Sequence, residues 1–304
     1  MLDNRALVSI PNFVMTDDIL RASILSYLAY LDTDLFYLKW DAYKNTLKDY
    51  TDSPARFYSS REKQSNTLFY NITKMPIFYD GSINLQNTRD AQAYLVEKDN
   101  IQYVVFRGTS NIFDFLSDFD FIQVPLEGYS SDIKVHRGFY MQFLSIKDEI
   151  FKDIDPSKKV VFCGHSLAAA LATIASIIYQ DLYKETDISL ITFGSPMVGN
   201  SEFVSLFNKT IKFGKHMRFV TKNDIVPIMS AIFDYKHVSE AYSLSEGHIY
   251  KESGDVHWLL KTFYSILNVA KPISMHNYNT YIRLILSLNL IGNTCNMSVP
   301  LVTP

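Results

Sequence analysis

Apolar residues recur at helical spacing behind the start signal Thr16-Asp17-Asp18, at Ile19, Leu20, Ile24, Leu25 and Leu28, and predict an outer helix over Asp17 to Leu31. Further on, the apolar runs Ala91 to Val96 and Tyr103 to Phe106 are separated by the polar Glu97-Lys98-Asp99-Asn100, which predicts a hairpin. Val160 to Cys163 is a β-rich run that Gly164 interrupts, and Leu167 to Ala175 is built from small and helix-forming residues. Ser189 to Phe193 and Met217 to Val220 read as short strands with a helix from Glu202 to Phe207 between them. Strands and helices alternating after residue 100 predict an α/β fold, its largely parallel sheet covered by helices on both faces. Residues 50 to 66 are polar, contain Pro54 and lack periodicity, so they are predicted to form a loop.

Residues 160 to 179 carry no Asp, Glu, Lys or Arg and are long enough to suggest a membrane span. The break at Gly164 divides them instead into a buried strand and a core helix. With 304 residues, 47% of them hydrophobic and 20% charged, the chain can bury a large core, and one domain over residues 1–304 is expected. A net charge of −3 gives no electrostatic reason to bind nucleic acid, and the short basic cluster Lys158-Lys159 reads as solvated surface. The two cysteines, Cys163 and Cys295, imply no disulfide framework. Met1 to Leu7 lacks a charged-then-apolar leader pattern, so a reducing, cytoplasmic setting is expected and sequons such as Asn71-Ile72-Thr73 are idle.

The junction Phe162-Cys163-Gly164-His165-Ser166-Leu167-Ala168 carries the candidate chemistry. A strand ending in Gly-X-Ser-X-small and running into a helix is the nucleophile elbow of an α/β-hydrolase. The serine must sit on a strained corner so that its hydroxyl projects above the sheet, and Gly164 and Ala168 supply the small side chains that let strand and helix approach. The helix start then points free N–H groups at the site where an oxyanion forms.

Upstream, Val104-Val105-Phe106-Arg107-Gly108-Thr109-Ser110 resembles the strand that precedes a short lid helix in fungal-type class 3 lipases. The resemblance continues, in the family's order, through Asn111 to Phe119 as a lid, Val135-His136-Arg137-Gly138-Phe139, the elbow, Thr192-Phe193-Gly194-Ser195-Pro196-Met197-Val198-Gly199, and Phe219 to Pro227. Together these motifs cover roughly residues 90 to 240. The resemblance implies a Ser-Asp-His triad in which Ser166 is the nucleophile and Asp224, in Asn223-Asp224-Ile225-Val226-Pro227, is the acid. The base comes from the histidines that follow Asp224. His276 is favoured because Met275 to Tyr281 resembles the family's late His-X-X-Tyr or His-X-Tyr element, which begins the last helix. His257 stays open as an alternative, and residues 240 to 273 would form an insertion relative to compact members. His237 resembles a structural histidine of the family, and Arg107, His136 and His165 read as scaffold.

The oxyanion hole is expected from the backbone N–H groups of Leu167 and Thr109. In the lid, Ile112, Phe113, Phe115, Leu116 and Phe119 form an apolar stripe opposite Asp114, Ser117, Asp118 and Asp120. The resemblance therefore implies hydrolysis of acylglycerols or related lipid esters through an acyl-enzyme, with transient contact at a membrane or lipid-droplet surface. No metal or other cofactor is implied, because the histidines lack ligand spacing. One departure is Ala168-Ala169, where lipases of this type carry Gly-Gly. It leaves open a catalytically silent, lipid-binding form of the scaffold, and acyl transfer to an alcohol by the same triad is a third reading.

Overall fold

The structure, a computed structural model, describes residues 6–9, 16–30, 56–58, 91–108, 120–212, 214–221, 224–230, 233–246, 248–253 and 275–292. Among these, the strands are β1 (Ala6–Ser9), β2 (Arg56–Tyr58), β3 (Ala93–Lys98), β4 (Ile101–Phe106), β5 (Gln123–Pro125), β6 (Lys134–His136), β7 (Lys159–His165), β8 (Ile188–Phe193), β9 (His216–Thr221), β10 (Ala241–Ser245) and β11 (His248–Ser253). The α-helices are α1 (Asp17–Leu28), α2 (Arg137–Asp153), α3 (Leu167–Leu182), α4 (Ser201–Thr210) and α5 (Tyr278–Gly292).

Nine strands form one sheet in the order β1-β11-β10-β9-β8-β7-β4-β3-β2, and β5 and β6 pair separately. The central run β4, β7, β8, β9 and β10 is parallel, while antiparallel strands extend both edges. β8 is buried at all six positions and β7 at all but Lys159, as strands covered on both faces must be. Helices α1 and α5 pack on each other, while α2 and α4 pack against α3. Helix α3 is buried from Leu167 to Ile177 with no polar stripe, so residues 160 to 179 are a strand and a core helix, as their sequence predicts. No helix among the described residues is long and apolar enough to cross a membrane.

Several boundaries differ from the sequence reading for local reasons. The β3–β4 connection is only two residues, Asp99 and Asn100, both at positive φ (52° and 62°). Such a turn matches the twist of its flanking strands, so Glu97 and Lys98 remain in the ladder although both are charged. Lys158 and Lys159 are half-buried rather than simply solvated. Lys158 Nζ lies 2.6 Å from Glu97, and Lys159 pairs with Asp18, which also accepts from the Tyr103 hydroxyl at 2.7 Å and so ties α1 to the sheet. Within the predicted loop 50 to 66, Arg56–Tyr58 pairs with β3, and within the predicted insertion, β10 and β11 extend the main sheet.

Two histidines outside the elbow, the buried His136 and the half-buried His216 with its ring nitrogens enclosed, are held in neutral form. His136 caps α2: its Nδ1 accepts from the Phe139 N–H at 3.3 Å while Nε2–H faces the Asp120 carbonyl. Burial lowers its pKa from 6.5 to about 4. His216 lies edge-on to Phe207, and burial, with Arg218 adding to it, lowers its pKa from 6.5 to about 3. In both, the unfolded chain takes up protons below about pH 6.5 that the native chain refuses. Their contribution to stability is therefore complete above that pH and is lost as pH falls toward 4 and 3, at up to about 1.4 kcal/mol per pH unit for each ring. Urea midpoints should fall between about pH 7.5 and about pH 5, and His216→Phe should flatten that dependence.

Candidate active site

At the end of β7, Ser166 adopts φ 61° and ψ −128° and its residue is buried. The other described non-glycine residues at positive φ are Asp99, Asn100 and Asp234, types that tolerate the left-handed region, so the serine is the strained one. Its corner is held from both sides. The Ser166 N–H donates to Phe193 O at 3.0 Å, and its carbonyl accepts from the Ala169 N–H at 3.0 Å as α3 begins. A Cβ at position 164 would lie 2.6 Å from the Ala168 carbonyl carbon and 2.8 Å from the Ala168 Cβ. Glycine at 164 therefore makes room for the methyl at 168, and α3 starts at Leu167 in spite of the departure Ala168-Ala169. As the first helical residue, Leu167 has an amide with no partner inside the helix.

The carboxylate of Asp224 is closed off from solvent, its side chain 0% exposed. Three donors converge on it. His276 Nδ1 lies 2.8 Å from Oδ2 and 2.9 Å from Oδ1, the Tyr281 hydroxyl donates to Oδ2 at 2.5 Å, and the Val226 N–H donates to Oδ1 at 2.9 Å. Tyr281 also accepts from the Thr221 N–H at 3.1 Å, and burial beside Asp224 raises its pKa well above 10.0. The Thr221 hydroxyl donates to Met275 O at 2.9 Å, which fixes the turn bearing His276 to the end of β9. Such a pairing leaves His276 with its Nδ1–H toward the acid. Its other nitrogen, Nε2, is buried and has no hydrogen-bond partner among the described residues.

Gly194 brings the two halves together. It follows Phe193, to whose carbonyl the serine amide is bonded, and a Cβ there would lie 3.0 Å from His276 Cε1, 3.0 Å from the Tyr281 hydroxyl and 3.1 Å from Asp224 Oδ2. Its φ of +55° independently favours glycine. His276 is likewise next to the elbow, because its ring stacks on that of His165, with centroids 4.6 Å apart.

The structure thus gathers Ser166, Leu167, Asp224 and His276 at the carboxyl ends of the parallel strands. Thr109, His257 and the lid residues Ile112, Phe113, Phe115, Leu116 and Phe119 lie outside the described residues. His237 is engaged elsewhere, with Nε2 2.6 Å from Pro227 O and near the buried Arg218. Arg107 bonds Gln92 at 2.7 Å. Two contributors were not singled out from sequence. Tyr281, five residues beyond His276, is the tyrosine that meets the acid, whereas the nearer Tyr278 donates to Ser23 O at 2.5 Å. Tyr30 meets the elbow itself, 2.8 Å from His165 Nδ1. Neither carries a local sequence signal, since each acts across more than fifty residues of chain.

Residues 103–233 match the family of lipases (class 3). The chain is 33% identical over 159 residues to a lipase of Rhizomucor miehei, covering 47% of this chain and 42% of that protein. It is 31% identical over 159 residues to the secreted mono- and diacylglycerol lipase 1 of Fusarium solani, covering 49% of this chain and 45% of that protein. The matches thus span less than half the length of these curated relatives. The solved lipase from Rhizopus microsporus var. chinensis superposes with a TM-score of 0.60 at 22% identity, over 91% of this chain and 95% of that one, a likeness of fold. The strained serine, the parallel sheet and the matched segment agree: the chain has the α/β-hydrolase fold of the fungal lipases, and its residues 103–233 match the class 3 lipase family.

Proposed function

We propose that this protein hydrolyses the carboxylic ester bonds of acylglycerols or related lipids, with Ser166 as nucleophile, His276 as base and Asp224 as the acid that orients it. One observation carries the reading: a buried carboxylate grips His276 through Nδ1, Nε2 has no hydrogen-bond partner among the described residues, and the imidazole stacks on His165, the residue before a serine held at φ 61°. In this reading Nε2 removes the Ser166 hydroxyl proton as Oγ attacks the ester carbonyl, and Asp224 stabilises the imidazolium that results. The oxyanion faces the Leu167 N–H at the start of α3, with Thr109 as the second expected donor. Collapse expels the alcohol, which takes the proton from His276. Water, activated by the same nitrogen, then releases the acid and restores the serine.

The preference for lipid esters is supported by the family and by the relatives, which include a mono- and diacylglycerol lipase. Transient contact with a membrane or lipid-droplet surface belongs to the same proposal. It is supported by the exposed Ile122 and Phe233, 47% and 42% exposed, beside a Phe121–Phe233 stack at the boundary of the segment read as a lid. A reducing, cytoplasmic setting is proposed as well, in keeping with the free, buried thiol of Cys163.

Short- and long-chain p-nitrophenyl esters test the proposal. Ser166→Ala should lose about 10⁶-fold in kcat and Asp224→Asn about 10⁴-fold, the losses typical of serine triads. Full activity in Ser166→Ala, or in His276→Ala, would overturn the corresponding assignment; lipid binding without Ser166-dependent turnover would favour a silent binding protein. Tyr281→Phe should lower stability by about 1–3 kcal/mol in urea titrations, because it removes one donor to a buried carboxylate and strands the Thr221 N–H. Its kcat should fall by less than that of Asp224→Asn, since Nδ1–H and the Val226 amide still hold the acid.

A further inference from the structure

The His165 side chain is not used by the triad, yet it is built into the site with unusual completeness. Its ring lies on the face of the His276 imidazole, centroids 4.6 Å apart and planes 28° from parallel. Tyr278 and Tyr281 flank it edge-on at 4.7 Å and 5.1 Å, and Tyr30 closes the remaining side at 5.6 Å. The Tyr30 hydroxyl bridges the residue to itself, 2.8 Å from Nδ1 and donating to the His165 carbonyl at 3.2 Å. These two contacts hold the His165 ring in place against His276. Gly108 makes this contact available, because a Cβ there would come within 2.1 Å of the Tyr30 hydroxyl.

We propose that His165 is a positioning residue for the base: a neutral aromatic platform, locked by Tyr30, whose face stabilises the positive charge that His276 gains only in the transition state. The inference rests on the reading of Ser166, Asp224 and His276 as a triad. Its physical basis is the attraction between a cation and an aromatic face, which strengthens where water is excluded. A platform of this kind must not itself take a proton, or it would repel the imidazolium. Burial, followed by the neighbouring His276, holds the His165 pKa well below 6.5. The titratable groups facing the ring are His276, Tyr30, Tyr278 and Tyr281, and none of the tyrosines supplies a negative charge that would draw a proton onto it. Because the charge on His276 appears after substrate binds, the platform acts on kcat and leaves KM unchanged.

The test compares wild type, His165→Phe, His165→Leu and Tyr30→Phe on a soluble p-nitrophenyl ester, with circular dichroism and urea titration of each protein. His165→Leu, similar in bulk but without a ring, should lose about ten-fold in kcat with KM held, and the acidic limb of its kcat/KM profile should move to lower pH. His165→Phe should recover most of the rate and return that limb. Tyr30→Phe should show part of the loss in kcat. A packing defect that merely admits water would favour the charged imidazole and move the limb the other way. Equal kcat in the Leu and Phe variants, or a limb moved to higher pH in His165→Leu, overturns the inference while leaving the triad intact. Absence of Ser166-dependent turnover in wild type overturns both. Should His165→Leu fail to fold, the comparison of His165→Phe with Tyr30→Phe decides: kcat below one-tenth of wild type in His165→Phe counts against the platform.

Discussion

A carboxylate withdrawn completely from water has to be surrounded by donors, and the site is organised around that requirement at Asp224. One of its three partners, Val226, lies just beyond it, and the other two come from more than fifty residues away, Tyr281 within α5 and His276 on the turn before α5. None can be moved independently, because Tyr281 is also bonded to the Thr221 amide and the His276 turn is fixed through the Thr221 hydroxyl. Charge burial thus fastens the C-terminal helix to the end of β9, and the orientation of the imidazole follows from the fastening.

The elbow answers a steric requirement instead. Gly164 and Ala168 cross so closely that there is room for one methyl between them, and Gly194 lies where any side chain would strike His276 and Asp224. The methyl at 168 that departs from the family's glycine is accommodated because position 164 has none. These are constraints on volume rather than on charge, and they govern how closely the imidazole approaches the elbow.

How much of this could be read before folding depends on how local each cause is. The elbow, the turn aspartate and the strand-helix alternation are written in consecutive residues, so Ser166, Asp224 and the parallel sheet were readable. His276 is set above His257 only through resemblance, because its pairing with Asp224 spans fifty-two residues. Tyr281, Tyr30 and Gly194 act through contacts between elements, and nothing beside them in the chain announces the partner. Strand ends were misplaced for a related reason. Glu97 and Lys98 are polar, yet ladder pairing keeps both in the sheet, and Glu97 is also paired with Lys158. The hairpin β10–β11 falls in the stretch read as an insertion because His276 follows Asp224 so late in the chain, whereas its register against β9 is explicit once the sheet exists.

Both borders of the main sheet are occupied by strands from the beginning of the chain, β2 on one side and β1 on the other. β1 joins β11 through pairs such as Ala6 with Ser253. Such pairs join residues about 250 apart in sequence, and closing so long a loop is slow. Until it closes, β11 offers unpaired amides to any neighbouring chain, so β1, remote from it in sequence, is the strand that covers them.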